Sequence, residues 1–304
     1  MQLLLNTPAF DLESVIRIAE EDFGLNVTAR GATVRQLPSE RDQNFLVTDD
    51  SGQKFVLKIA NALESRELLE AQNAVLEHLA RKQISFCPRV VSGVKVVSNH
   101  FMRLMTYLPG VPLAESAPHS PALLRDLGRK LGQLDRALVD FDHPAVHRDF
   151  HWDLANGNRI IEEYGGLVED PELVRECRYE GNAELRKSVI HGDANDYNVL
   201  VEPDRVTGLI DFGDVIYSWT AGNLAIALAY VVLGKDDQQA AAAQVIDGYR
   251  EEIEVVDEEI LWKLVRLRWA MSACLAAYQQ RQRPENEYLG ISQRAITDAL
   301  LKHA

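Results

Sequence analysis

The stretch from Ser188 to Asp214 reads SVIHGDANDYNVLVEPDRVTGLIDFGD. Apolar runs at Val189-Ile190, Val199-Leu200-Val201 and Gly208-Leu209-Ile210 alternate with polar clusters. That alternation predicts strand, polar loop, strand, turn, strand and acidic loop. Two carboxylates, Asp193 and Asp211, and one amide, Asn198, are thereby brought close together.

This set suits phosphoryl transfer. One carboxylate, Asp193, accepts the proton of an attacking hydroxyl, while the amide oxygen of Asn198 and the carboxylate of Asp211 hold magnesium on nucleotide phosphates. The order H-x-D-x-x-x-x-N followed by D-F-G is the protein-kinase pattern. Here it stands as His191, Gly192 and Asp193, then Asn198, then Asp211-Phe212-Gly213. Three elements in order on a strand-loop-strand background are a far more specific match than one short loop.

The rest of the chain must supply the lobes that carry such a loop. At 304 residues and 46% apolar content it can bury one large core or two. The N-terminus, MQLLLNTPAF, has no basic region and too short an apolar run for a signal peptide. The longest apolar stretch, Leu224 to Leu233, falls short of the roughly 20 residues that span a bilayer. The expectation is a soluble cytoplasmic protein with no membrane partner. Cys87, Cys177 and Cys274 match neither a disulfide framework nor a zinc site, so buried free thiols are expected. A formal charge of −14 disfavours nucleic acid and suits a small cationic substrate.

Toward the N-terminus, Asp11 is placed to cap a helix running to about Phe23, with Phe10 and Val15 as a hydrophobic staple. Three strands are expected next, over 25–37, 44–48 and 53–60, the last two joined by the turn Asp49-Asp50-Ser51-Gly52. The loop Pro38 to Asn44 contains no glycine, yet Ser39 and backbone N–H groups there can cradle phosphate oxygens. In Lys54-Phe55-Val56-Leu57-Lys58-Ile59, period-two alternation sets Phe55, Leu57 and Ile59 on one face and Val56 and Lys58 on the other. A lysine turned inward from such a strand fits the phosphate-binding lysine of a kinase, with Val56 beside the base. A helix over 62–82 places Gln72 within the stripe of Leu68, Val75, Leu76 and Leu79, while Glu67 and Glu70 turn to solvent. Gln72 is then the partner of Lys58, through a hydrogen bond to a charged group worth about 1.5–3 kcal/mol. A helix shifted in phase would bring Glu70 inward instead.

Strands over 90–97 and 101–107 complete a five-stranded sheet, and Pro109-Gly110 ends the last one. Backbone groups from Thr106 to Leu108 lie where a purine edge would pair. Beyond them a helix is expected over 120–139, then a polar insertion over 140–185, and helices over 222–234, 236–253, 257–281 and 286–302. Arg268, in the penultimate helix, can reach a substrate carboxylate bidentately, although a surface arginine on an amphipathic helix is the commoner case.

One stretch of the insertion imitates the catalytic loop. Val146-His147-Arg148-Asp149-Phe150 has the kinase look, but five residues after Asp149 stands Leu154, which cannot bind metal. Asp149 is expected to cap a helix over 150–154. A zinc-like cluster of His143, His147 and His151 is disfavoured because Pro144 disrupts the first turn.

With these pieces placed, the chain resembles the aminoglycoside phosphotransferase and choline kinase superfamily, and most of all its hydroxylysine kinase branch. The residues that carry the resemblance are Ser39 to Phe45, Phe55 to Ile59, Glu70 to Asn73, His191 to Asn198 and Gly208 to Asp214. It implies an α+β, protein-kinase-like bilobal fold: a nucleotide-binding lobe over 1–107, five antiparallel strands with one main helix, and a mainly helical lobe over 108–304. It implies a small-molecule kinase transferring the γ-phosphate of ATP or GTP, with Mg2+, to a hydroxyl of an amino compound such as hydroxylysine. Aminoglycoside, homoserine, choline and thio-sugar acceptors are the alternatives within the superfamily; a nucleotide-binding pseudokinase and a protein kinase lie outside that reading. Residue by residue, Asp193 is the base, Asn198 and Asp211 are metal ligands and Lys58 binds phosphate. Asn195 and Asp196, which depart from the loop of antibiotic kinases, and Asp214 join Arg268 as substrate candidates. Two departures matter: Asn223 stands where many members carry an acid, and Gln72 where antibiotic kinases have the glutamate paired with the strand lysine.

Overall fold

In the computed structural model, residues 7–28, 31–39, 41–181, 184–282 and 293–303 are described. The chain divides into two compact units, Met1–Pro109 and Gly110–Ala304.

In the first unit, helix α1 (Leu12–Glu21) starts where expected, with the Asp11 carboxylate accepting from the Ser14 N–H at 2.8 Å. Strands β1 (Thr33–Leu37), β2 (Gln43–Thr48) and β3 (Lys54–Ile59) follow, then helix α2 (Arg66–Arg81), β4 (Val90–Val97) and β5 (His100–Thr106). The five strands pair antiparallel in the order β1-β2-β3-β5-β4. The first strand is shorter than the expected 25–37, for Gly31 takes a φ of +97° and breaks the extended run just before it. Strand alternation then decides the two faces. Phe45, Val47, Phe55, Leu57, Ile59, Met102 and Leu104 pack against Val15, Ile18 and Ala19 of α1 as one buried cluster. The opposite face carries the cross-strand rows Leu46-Val56-Met105 and Asn44-Lys58-Arg103.

The second unit opens with β6 (Val111–Pro112) and the long helix α3 (Pro121–Leu138), capped by Ser120. The segment expected as a polar insertion folds into short 3-10 turns, α4 (Gly157–Tyr164) and α5 (Pro171–Arg175). Strands β7 (Lys187–Ile190), β8 (Val199–Glu202) and β9 (Arg205–Leu209) come from the three apolar runs. Their pairing was not foreseen: β8 joins β6 and β9, while β7 pairs with β10 (Ile216–Trp219). Helices α6 (Thr220–Val231), α7 (Gln238–Arg250), α8 (Glu258–Gln282) and α9 (Gln293–Lys302) close the unit. The expected start of the last helix at 286 lies outside the described residues.

Helices α3 and α7 cross at backbone distance. A Cβ on Gly128 would lie 1.8 Å from the Val245 carbonyl oxygen, and one on Gly248 1.9 Å from that of Arg125. The same crossing buries Asp135 completely; it accepts from Tyr249 Oη at 2.6 Å and from Asn223 Nδ2 of α6 at 2.8 Å. The three cysteines are free and buried, as expected.

Candidate active site

The base loop is built from glycine and amide geometry. After β7 the chain turns at Gly192, whose φ is +82° and whose Cβ, if present, would sit 2.4 Å from the carbonyl oxygen of Asp214. No other residue fits both demands. His191 is fully buried; its Nε2 donates to the Ile210 carbonyl (3.0 Å), and its Nδ1 accepts from the Asp193 N–H (3.2 Å). That pattern fixes a neutral imidazole and ties the start of the loop to the end of β9. Asn195 then folds the loop: its Oδ1 accepts from the N–H groups of Tyr197 (2.9 Å) and Asn198 (3.1 Å).

The Asp193 carboxylate is held from both sides. Oδ2 accepts from Asn195 Nδ2 (3.0 Å) and Asn198 Nδ2 (2.9 Å), and Oδ1 from Arg268 Nη2 (3.2 Å). Burial pushes this carboxyl up to about 7, Asp214 adds to the rise, and Arg268 and Asn195 pull against it. Its side chain still keeps 23% of its surface exposed. The amide nitrogen of Asn198 also donates to the Asp193 carbonyl at 2.9 Å, which turns Asn198 Oδ1 away from the base. Asp211 is exposed and takes a left-handed φ of +62°, uncommon for a residue with a Cβ. An amide oxygen and a carboxylate are the hard oxygen donors that Mg2+ takes alongside phosphate, so the two residues fit that ion.

Two arginines hold the surroundings, one of them, Arg148, not among the candidates the sequence offers. Arg148, from the stretch that imitates the loop, donates to the Gly213 carbonyl at 3.1 Å and so braces the acidic turn. Arg268 is only 2% exposed, against the expectation that a surface arginine is the commoner case. It sits on a helix buried on most sides, where periodicity carries no signal for direction. Asp149 is not a helix cap: residues 150–153 form no helix, Asp153 caps the 3-10 turn that follows, and Asp149 pairs with Arg159 at 2.8 Å. Among the described residues no group of three or more His, Cys, Asp or Glu side chains could hold a metal. His147 instead bonds Asp142 (2.6 Å), and its ring lies 4.5 Å from that of Tyr217.

Of the remaining substrate candidates, Asn195 is committed to the loop, Asp196 is half-buried with its carboxyl raised by burial, and Asp214 is buried beneath Gly192. Gln72 is buried and Glu70 exposed, the latter paired with Arg66 at 3.0 Å. Gln72 Oε1 accepts from Arg103 Nη2 at 2.6 Å, so the phase of α2 is as expected but an unforeseen arginine joins it. Arg103 also donates to the Leu69 carbonyl (3.2 Å) and Asn73 Oδ1 (3.0 Å), and it stands directly opposite Lys58 in the β3–β5 register. Like charges so placed repel, and the oxygens of α2 offset that repulsion. Val56 shares the Lys58 face.

Ser39 is exposed, and its loop is pinned where Asn61 donates to Arg41 O (3.2 Å) and Asp42 Oδ1 (3.0 Å). Glu40 of that loop lies outside the described residues. The Thr106 N–H is already bonded to Arg89 O (2.9 Å) and that of Tyr107 to Lys54 O (3.3 Å). Thr106 therefore has no N–H to offer a purine edge; among the described residues the Leu108 N–H has no such acceptor.

Residues 33–258 match the model of a family described as APH, the phosphotransferase enzyme family. Hydroxylysine kinase of Xenopus laevis is 31% identical over 94% of this chain and 88% of its own length. The chain belongs to the phosphotransferase enzyme family. This phosphotransferase is a small-molecule kinase that acts on hydroxyl groups. It is also similar to homoserine kinase of Zymomonas mobilis subsp. mobilis, with 26% identity over 75% of this chain and 74% of that one. Among solved structures, amicoumacin kinase hAmiN in complex with AMP-PNP, Ca2+ and Ami superposes with a TM-score of 0.70. At 17% identity over 95% of this chain and 94% of that one, this likeness speaks to the fold, which is kinase-like as expected.

Proposed function

We propose that the chain transfers the γ-phosphate of ATP or GTP to a hydroxyl of a small cationic amino compound, with hydroxylysine the first candidate. The observation that carries the reading is the three-donor grip on Asp193, which presents a carboxylate in a fixed orientation to an incoming hydroxyl. Asp193 accepts the hydroxyl proton as the oxygen attacks phosphorus. Asn198 and Asp211 hold Mg2+, and Lys58 binds nucleotide phosphate with Ser39 beside it. Gln72 steadies this cationic face through Arg103, Val56 lies against the base, and the Leu108 N–H offers the purine edge a donor. Mg2+, when bound, neutralises charge on the phosphate oxygens. Asp196 and Asp214 supply negative charge for the substrate ammonium, in keeping with the net charge of −14.

The first unit then serves the nucleotide and the second the acceptor. Work in the cytoplasm is part of the same reading: no helix among the described residues is long and apolar enough to cross a membrane.

The test is nucleoside-diphosphate release from ATP and GTP over a panel of hydroxylysine, homoserine, choline, amino alcohols and aminoglycosides, with Asp193→Asn as control. Turnover highest on hydroxylysine and abolished in the control is expected. Nucleotide binding without turnover of any acceptor would overturn the reading in favour of a pseudokinase. Activity surviving Asp193→Asn would remove the base assignment.

A further inference from the structure

Arg268 is the one charged donor in the grip on Asp193, and the scheme above assigns it no role of its own. Its side chain is 3% exposed, in the middle of α8, with Cζ 4.9 Å from the ring centre of Trp152 and 5.6 Å from that of Tyr230. Its bonds are long: Nη1 to the Trp152 carbonyl at 3.4 Å and Nη2 to Asp193 Oδ1 at 3.2 Å, while among the described residues the buried Nε has no partner. Removing a guanidinium from water is expensive, and an apolar side chain of similar size would pack α8 without that cost. The compensation comes from Tyr230 and from the carboxylates of Asp193 and Asp214, and of the two carboxylates Asp193 is the one it bonds directly.

The two oxygens of that carboxylate are not equivalent. Each can accept about two hydrogen bonds. Oδ2 already takes two, from Asn195 and Asn198, and Oδ1 takes one, from Arg268. We infer that Arg268 is a positioning residue: it holds the rotation of the Asp193 carboxylate about Cβ–Cγ so that the remaining lone pair of Oδ1 faces the acceptor hydroxyl. Without it, the two amides anchor Oδ2 alone and Oδ1 swings. This rests on Asp193 being the base. The packing of Trp152 and Tyr230 against the guanidinium keeps it on Asp193 rather than free to follow a substrate carboxylate.

The experiment compares Arg268→Met and Arg268→Lys in the full chain. Kinetics are run with hydroxylysine and with an amino alcohol of similar length that lacks the carboxylate. For Arg268→Met the expected result is a fall in kcat of about 100-fold with both acceptors, the scale of a misplaced reacting group. KM for acceptor and nucleotide stays within about twofold of wild type, the two variants share one melting temperature, and Arg268→Lys recovers part of kcat. A second readout needs no turnover: 15N NMR of the arginine side chains, with the Arg268 signals identified by their loss in Arg268→Lys. Hindered rotation of the Arg268 guanidinium should disappear in Asp193→Ala. A KM rise confined to hydroxylysine with kcat retained would overturn the inference and make Arg268 a substrate receptor. Equal losses in both variants that track a fall in melting temperature would reduce it to packing. Arg268 signals indifferent to Asp193→Ala would also overturn it. If wild type turns over neither acceptor, the functional reading fails, and the NMR result still decides whether Arg268 fixes Asp193.

Discussion

Tyr249 donates its hydroxyl to Oδ2 of Asp135 at 2.6 Å, at a point where α3, α6 and α7 meet and no solvent reaches the carboxyl. Burial raises Asp135 from its ordinary value to about 7, against the pull of Tyr249, Asn223 and Arg186. The folded protein therefore takes up this proton more readily than the unfolded chain does. The stabilisation from Asp135 is complete below the unfolded value near 3.8 and is lost as pH rises through about 7.

Asp135→Asn should consequently gain on wild type as pH rises, by up to about 1.4 kcal/mol per pH unit inside that window, and level off above it. The variant side chain can be met by Asn223, whose Oδ1 has no donor among the described residues. Urea unfolding of both proteins at pH 5, 6, 7 and 8 measures the difference. A constant difference across the range would mean that Asp135 is ionised in the fold throughout.

Arg103 and Glu70 should separate sharply in stability. Arg103→Met removes three hydrogen bonds from a charged donor, to the Leu69 carbonyl, Gln72 Oε1 and Asn73 Oδ1, a class of bond worth about 1.5–3 kcal/mol each. Glu70→Ala removes one exposed i,i+4 pair with Arg66, worth about 0.3–0.5 kcal/mol. Thermal unfolding of the two variants beside wild type gives the comparison, and equal shifts would contradict the docking of α2 described above.

At Gly192 a methyl group meets both a left-handed φ and the Asp214 carbonyl. Gly192→Ala should displace the loop and lower kcat by about 100-fold while far-UV circular dichroism stays at the wild-type level. Wild-type kcat in this variant would show that the loop and the acidic turn do not depend on one another.

Much of this site was legible because it is local. The spacing from Asp193 to Asn198, the apolar runs of β7, β8 and β9, and the inward phase of Gln72 all follow from short-range pattern. What escaped was long-range. Strand β10 pairs with β7 across the whole catalytic stretch, and Arg148 braces a turn 65 residues away. Arg268 is singled out by the sequence as a candidate for a substrate carboxylate, but its bond to Asp193 is not, because α8 is buried on most sides and no stripe marks which of its residues point there. Asp149 misled because Asp before an apolar residue is a general capping signal, whereas here its partner is Arg159, ten positions on.

The neutral acceptors on α2 have a consequence for control. A helix docked through a glutamate–lysine ion pair can be loosened by acid, by salt or by a competing charge. The bonds from Arg103 to Leu69, Gln72 and Asn73 end on oxygens that do not titrate and are closed off from mobile ions. Buried in this way, the joint is screened by salt far less than an exposed ion pair would be.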